Sequence, residues 1–195
     1  MSKKRLDIMT DIETLGTNAD STIVQISALA FDIKTSEYKN DFDECANISK
    51  NKDMKVTGST IQWWLKTNPS LLLDITKRQD QTSEVVITKF YNWLMGLKKE
   101  YNLYLWGNGI LFDNNMIRTQ IELLDLTYPI FYRNDRDVRT LVDLAGEKLG
   151  VSEQKLKKSV SRDDLVAHDG FDDCKYQIDL VSYCYNLLIG DNNED

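Results

Sequence analysis

The chain has 195 residues, 42% of them hydrophobic and 28% charged, with a net charge of −7. That suits one compact domain, with residues 1–190 as its body and 191–195 as a frayed acidic tail, able to bury a core without disulfides. No apolar run nears the length of a membrane span, and Met1-Ser2-Lys3-Lys4-Arg5 lacks the apolar stretch of a signal peptide. The acidic total excludes a sequence-specific binder carried by a broad basic surface. Three cysteines (Cys45, Cys174, Cys184) without metal-knuckle spacing read as reduced cytoplasmic thiols in the core, and a single histidine argues against zinc.

In chain order, Leu6 to Gly16 alternates apolar and polar residues and ends in Asp11, Glu13, Thr14 and a glycine that can turn the chain. Side chains two apart on a strand share a face, so the two carboxylates converge. Ile23 to Phe31 reads as a central strand and Glu37 to Cys45 as its hairpin partner, with Lys34-Thr35-Ser36 in the turn. Ser59 or Thr60 can cap a short helix through Ile61–Leu65, which Asn68-Pro69 breaks and restarts. Thr82 to Lys99 is the clearest helix of the first half, with Val86, Phe90, Trp93, Leu94 and Leu97 on one stripe.

Leu103 to Trp106 is a short buried strand. Gly107-Asn108-Gly109 ends it in a turn that lets the backbone approach a site, with Asn108 a candidate substrate contact. A helix from about Phe112 to Leu124 carries Asp113 on the stripe of Ile117 and Ile121, so its carboxylate faces the sheet. Past Pro129 a helix spans about Asp137 to Lys148 and stops at Gly150. Gln154 to Arg162 is basic and poor in apolar residues. The last helix starts near Asp169 or Gly170, with Cys174, Ile178, Val181, Tyr185 and Leu188 inward. Strands first, then strands mixed with helices, predict an α/β layered domain with a mixed sheet.

His168 lies just before that last helix and Asp173 in its first turns. Asp11, Glu13, Asp113, Asp173 and His168 thus all stand at the ends of regular elements, where open α/β sheets bind ligands. Clustered carboxylates are costly unless a cation lies among them, and hard ions such as Mg²⁺ and Mn²⁺ take such oxygens. Two divalent ions there would clamp the oxygens of a phosphodiester under in-line attack, and an imidazole of ordinary pKa about 6.5 can take the proton of the attacking water. A carboxylate set that holds metal also explains how an acidic chain attracts phosphate.

Asp11-Ile12-Glu13-Thr14, then Trp106 to Asp113, then His168 with Asp173 five residues on, resembles the DEDDh group of 3′→5′ exonucleases, which have an RNase H-like fold. Ser59 to Trp64, Arg136 to Thr140 and Leu165 to Asp169 are similar to the DexA-type phage exonucleases and the Rv2179c-like exoribonuclease family. The resemblance runs from residue 7 to about residue 178. It implies Asp11, Glu13, Asp113 and Asp173 as metal ligands, His168 as base, Thr14 and Leu15 bordering the terminal nucleotide, and a bacterial or phage-infected cell as the setting.

Each feature also has a plainer reading. Acids in a helix's first turn are favoured by the helix dipole alone, and Asp172 reads as a cap or surface acid. Trp63 and Trp64 cannot both face one way; Trp64 is the candidate for the substrate groove, and packing by both is the competing reading. The basic run Lys155, Lys157, Lys158 and Arg162 is a solvated face or a phosphate contact, and Arg136 and Arg139 suit either carboxylates or nucleic acid. The sequence points to a metal-dependent 3′→5′ exonuclease on single strands with a free 3′ end, DNA before RNA. A non-catalytic nucleic-acid-binding module and a small phosphoester substrate are the alternatives.

Overall fold

The computed structural model describes residues 3–166 and 168–190; the C-terminal tail expected at 191–195 lies outside them. Five strands, β1 (Lys4–Thr14), β2 (Ile23–Phe31), β3 (Tyr38–Cys45), β4 (Tyr101–Gly107) and β5 (Asp135–Asp137), form one sheet in the order β3-β2-β1-β4-β5. β1, β2 and β3 are antiparallel neighbours, whereas β4 and β5 run parallel to β1. The middle strand is β1, and β2 is, as expected, an interior strand. It is paired on both edges and covered on both faces, so all nine of its residues are buried and its sequence is nearly continuously apolar.

Helices α1 (Gly58–Thr67), α2 (Pro69–Arg78), α3 (Ser83–Lys98), α4 (Asp113–Leu123), α5 (Val138–Leu149), α6 (Glu153–Ser159) and α7 (Gly170–Ile189) surround the sheet. On one face, Leu6, Ile8 and Ile12 of β1 pack with Val86, Phe90 and Leu94 of α3 and Ile117 and Ile121 of α4. On the other, Met9 packs with Val138 and Val142 of α5 and Cys174, Ile178 and Val181 of α7. The two-residue period of a strand then puts Asp11 and Glu13 on the Met9 side, facing α7. All three cysteines are buried and free. Among the described residues no helix is long and apolar enough to cross a membrane.

Local signals explain most boundaries. The Asn68 side chain accepts the Leu71 N–H at 3.1 Å with Pro69 opening α2, and Gly150 ends α5 at φ +65°. Three elements differ from expectation. β5 is only three residues long and polar, so it carries no apolar alternation. α6 falls in the stretch read as a basic segment; Ser152 caps it, Glu153 pairs with Lys157, and its one buried residue is Leu156. At α1 the helix begins at Gly58, ahead of the expected Ser59 or Thr60 cap, and Thr57 at the cap position makes no side-chain bond.

The two tryptophans of α1 separate cleanly. Trp64 is 1% exposed, packs with Leu15, Val24 and Ile75, and donates its indole N–H to the Thr14 carbonyl at 2.9 Å. Trp63 is 42% exposed. Trp64 still lines the cleft beside Glu13 together with Trp63, but its one polar group is committed to the backbone of β1, and Trp63 is the more exposed of the two. Trp64→Phe keeps a ring but leaves a buried carbonyl unpaired, which should cost about 1–3 kcal/mol. Trp63→Phe should stay within about 0.5 kcal/mol of the parent. Urea unfolding of both variants checks the pair; equal losses would contradict the division.

Candidate active site

Three elements bring the acids together. β1 presents Asp11 and Glu13, and α7 lies across them because Gly170 allows it. A Cβ on Gly170 would stand 2.9 Å from Ser27 Oγ and 3.4 Å from an Asp11 oxygen. With no side chain there, the first turn of α7 settles against β1 and β2 and delivers Asp173. One carboxylate oxygen from each of Asp11, Glu13 and Asp173 lies within 4.8 Å of the other two. Asp113, the first residue of α4, is 4% exposed; it stands outside that tight trio yet is the strongest charged neighbour of Asp11.

The electrostatics are those of uncompensated like charges. Burial pushes the Asp11 carboxyl well above its usual range, and Asp113, Glu13 and Asp173 push it further. Glu13 is raised to about 8 by burial and by Asp173 and Asp113. Asp113 is raised to about 7 by burial, against backbone hydrogen bonds and the Arg139 charge. Asp173 is raised by burial while the His168 N–H pulls the other way. Arg78 is engaged with Asp43, Asp74 and Asp169, Lys175 with Asp172, and the Arg139 charge acts on Asp113 without forming an ion pair. Among the described residues none of the four acids forms an ion pair. Several hard oxygen donors in one place without a counter-charge fit a divalent cation.

His168 sits beside this cluster. Its backbone N–H donates to Asp173 Oδ2 at 3.1 Å, and its φ of +67° places it in the left-handed region that few non-glycine residues occupy. The ring is exposed and meets Trp63 edge-on, with centroids 5.4 Å apart. Asp169, the next residue, caps α7 by accepting the N–H groups of Phe171 and Asp172. Asp172 is not that cap. It accepts the Val166 N–H at 3.0 Å and so fastens the loop that carries the histidine.

A cleft of about 380 Å³ opens next to Glu13, walled by Thr14, Thr60, Trp63 and Phe112. The Thr14 hydroxyl donates to the Gly16 carbonyl at 2.7 Å, and Leu15 is packed beneath with Trp64, its backbone bonded to Thr22 and Thr57. Leu15 therefore supports the cleft from the core side instead of lining it. Asn108 lies half-buried in the turn after β4, where Gly109 needs a φ of +122°. Sequence reasoning missed Gln177, which is 4% exposed and donates to Asp11 Oδ1 at 3.1 Å. Its signal was available: it follows Asp173 by four residues, hence on the same helical face, as an amide within an apolar stripe.

A mixed sheet with carboxylates gathered at the ends of β1, α4 and α7 is the arrangement of the DEDDh 3′→5′ exonucleases. The nuclease domain of 3′hExo, a DEDDh family member solved with rAMP, is 20% identical, with a TM-score of 0.62 over 95% of this chain and 92% of that one. Exonuclease I of E. coli, solved with a dT13 oligonucleotide, is 14% identical, with a TM-score of 0.68 over 92% of this chain and 40% of that one. By sequence the chain is 24% identical to an exodeoxyribonuclease of Enterobacteria phage T4, over 94% of this chain and 91% of the relative. The model of the 3′-5′ exoribonuclease Rv2179c-like domain matches residues 6–185, and the chain belongs to that family. By its family it is a 3′→5′ exonuclease, and its fold, RNase H-like, is that of the DEDDh nucleases.

The raised carboxyls link folding to protons. A group with a raised folded-state pKa binds its proton more tightly when folded, so its contribution is full below its ordinary value and is lost as pH rises through the folded value. Chelator-treated protein should therefore lose melting temperature steadily from about pH 5 to about pH 8 as Asp113 and Glu13 ionise. Mn²⁺ should restore it far more at the alkaline end, and Asp11→Asn should flatten the slope. Thermal melts across that range check this; a pH-independent melt without metal would contradict it.

Proposed function

We propose that the protein removes nucleoside 5′-monophosphates one at a time from the 3′ end of single-stranded DNA, with two divalent ions and His168 as general base. The observation that carries this reading is the convergence of Asp11, Glu13 and Asp173 with no cation of the chain's own among them. Those three, with Asp113, would hold Mg²⁺ or Mn²⁺. Bound there, such ions stabilise the attacking and departing oxygens of an in-line displacement at phosphorus. Gln177 fixes the orientation of Asp11, and the His168 N–H does the same for Asp173. The His168 imidazole takes the proton of the attacking water; the P–O3′ bond breaks and the 3′ oxygen is protonated from solvent. Trp63 and Phe112, both partly exposed, flank the cleft and offer apolar faces to the terminal base. Residues 1–190 act as one exonuclease domain in this account.

DNA is favoured by the phage exodeoxyribonuclease, which matches over nearly the whole of both chains. RNA is the second reading, favoured by the exoribonuclease description of the family. Separating the sugars depends on contacts to a 2′-OH, and matched DNA and RNA oligomers read that difference directly.

Asp11→Ala and Glu13→Ala should abolish release of monophosphates from an end-labelled strand while keeping the far-UV spectrum. His168→Ala should cost about 10²–10⁴ in kcat. Added chelator should silence the parent enzyme. A histidine variant that cleaves at the parent rate from about pH 6 to about pH 9 would remove the base assignment.

A further inference from the structure

The chain has seven arginines within an acidic total. Four of them pair with carboxylates: Arg5 with Asp7, Arg78 with Asp74, Arg118 with Glu122 and Arg162 with Asp164. Among the described residues, Arg133, Arg136 and Arg139 pair with none, and these three lie within seven consecutive positions. That stretch includes β5, the edge strand next to β4, and the first turn of α5.

The three follow one another along the edge of the sheet. Arg133 donates to the Tyr132 hydroxyl at 2.8 Å and lies over its ring at 5.2 Å, and Tyr132 is 68% exposed beside exposed Phe131. Arg136 donates to the Arg133 carbonyl at 2.7 Å and lies over the Tyr104 ring at 4.8 Å. Arg139 is exposed, and its guanidinium carbon stands 3.4 Å from where a Cβ on Gly109 would lie. The Arg139 end of this stretch is tied to the site. Asp137 caps α5 and also accepts the N–H of Ile110, in the loop that leads into Asp113. The Arg139 charge lowers the Asp113 carboxyl.

Guanidinium groups spaced along an edge that ends in the exposed rings of Phe131 and Tyr132 suit a flexible strand that offers both phosphates and base faces. A folded protein partner or a free anion would not call for both over this extent. We propose that the edge of the sheet from Arg139 through Arg136 to Arg133 and Tyr132 carries the single strand on the 5′ side of the bond being cut. Arg139 and Arg133 hold internucleotide phosphates, Tyr132 offers a stacking face, and half-buried Arg136 keeps the path in register through its carbonyl and ring contacts. This rests on the exonuclease reading above and adds the route of the substrate.

The test is binding and turnover by Arg133→Gln, Arg139→Gln and the double variant, with Arg133→Lys as the charge-keeping control. Anisotropy of a 5′-labelled oligothymidylate in Ca²⁺ reads binding without relying on turnover. Each Gln variant should weaken it several-fold and reduce the slope of log K against log salt by about 0.7 for each phosphate no longer held. Arg133→Lys should keep the parent slope. The ratio of kcat/KM for the oligomer to that for a dinucleotide should fall about tenfold in the double variant, the equivalent of ~1.4 kcal/mol. A double variant with parent affinity and slope would overturn the route, as would equal losses on both substrates, which would place Arg139 on the reacting phosphate. A parent enzyme that binds the oligomer through these arginines but cuts neither substrate would overturn the exonuclease reading and leave the route standing.

Discussion

Repulsion among carboxylates that the fold forces together is the constraint on which the rest of the molecule depends. Strand alternation fixes Asp11 and Glu13 on one side of β1, and the core beneath them, Met9 with Cys174 and Ile178, leaves no freedom to turn them away. Asp173 then arrives on α7, held close by the missing side chain at Gly170. The arrangement works against the stability of the metal-free protein. It is a local cost that the proposed cations would offset.

The corner that precedes α7 shows how the sequence keeps this arrangement rigid. Asp169 caps the helix, Asp172 reaches back to the Val166 N–H, and the His168 N–H reaches forward to Asp173. Each acid of the Asp169, Asp172 and Asp173 group therefore has a different task, although composition alone makes them interchangeable. Arg78 joins the corner to the rest of the fold, its guanidinium 3.5 Å from Asp169 and 3.6 Å from Asp43, whose other oxygen accepts from Ser27 and Gln25 of β2. The left-handed backbone at His168 is held by these neighbours.

Much of this was legible in the sequence because it follows from periodicity. The facing of Asp11 and Glu13, the stripe of α3, and the inward position of Asp113 are read from spacings of two, three and four residues. Other features carry no such signal. β5 is too short and polar to alternate, and α6 buries a single leucine. Trp63 and Trp64 are adjacent on a helix, so only their surroundings decide which is covered; the free carbonyl of Thr14 drew in Trp64. Gln177 was legible as an amide within the apolar stripe of α7, one turn past Asp173, but its partner Asp11 lies far away in the sequence. The lack of partners at Arg133, Arg136 and Arg139 is invisible in one dimension, since it depends on which acids the other four arginines have claimed.

The central proposal is that Asp11, Glu13 and Asp173, with Asp113, hold two divalent cations. Its most direct test is a crystal of the protein grown with Mn²⁺ and a nucleoside 5′-monophosphate, with anomalous scattering recorded at the manganese edge. The account predicts anomalous peaks among these carboxylates, with the phosphate of the nucleotide against them and its base in the cleft beside Trp63. A strong manganese signal elsewhere, with these acids turned from one another or paired to a lysine or arginine, would contradict it.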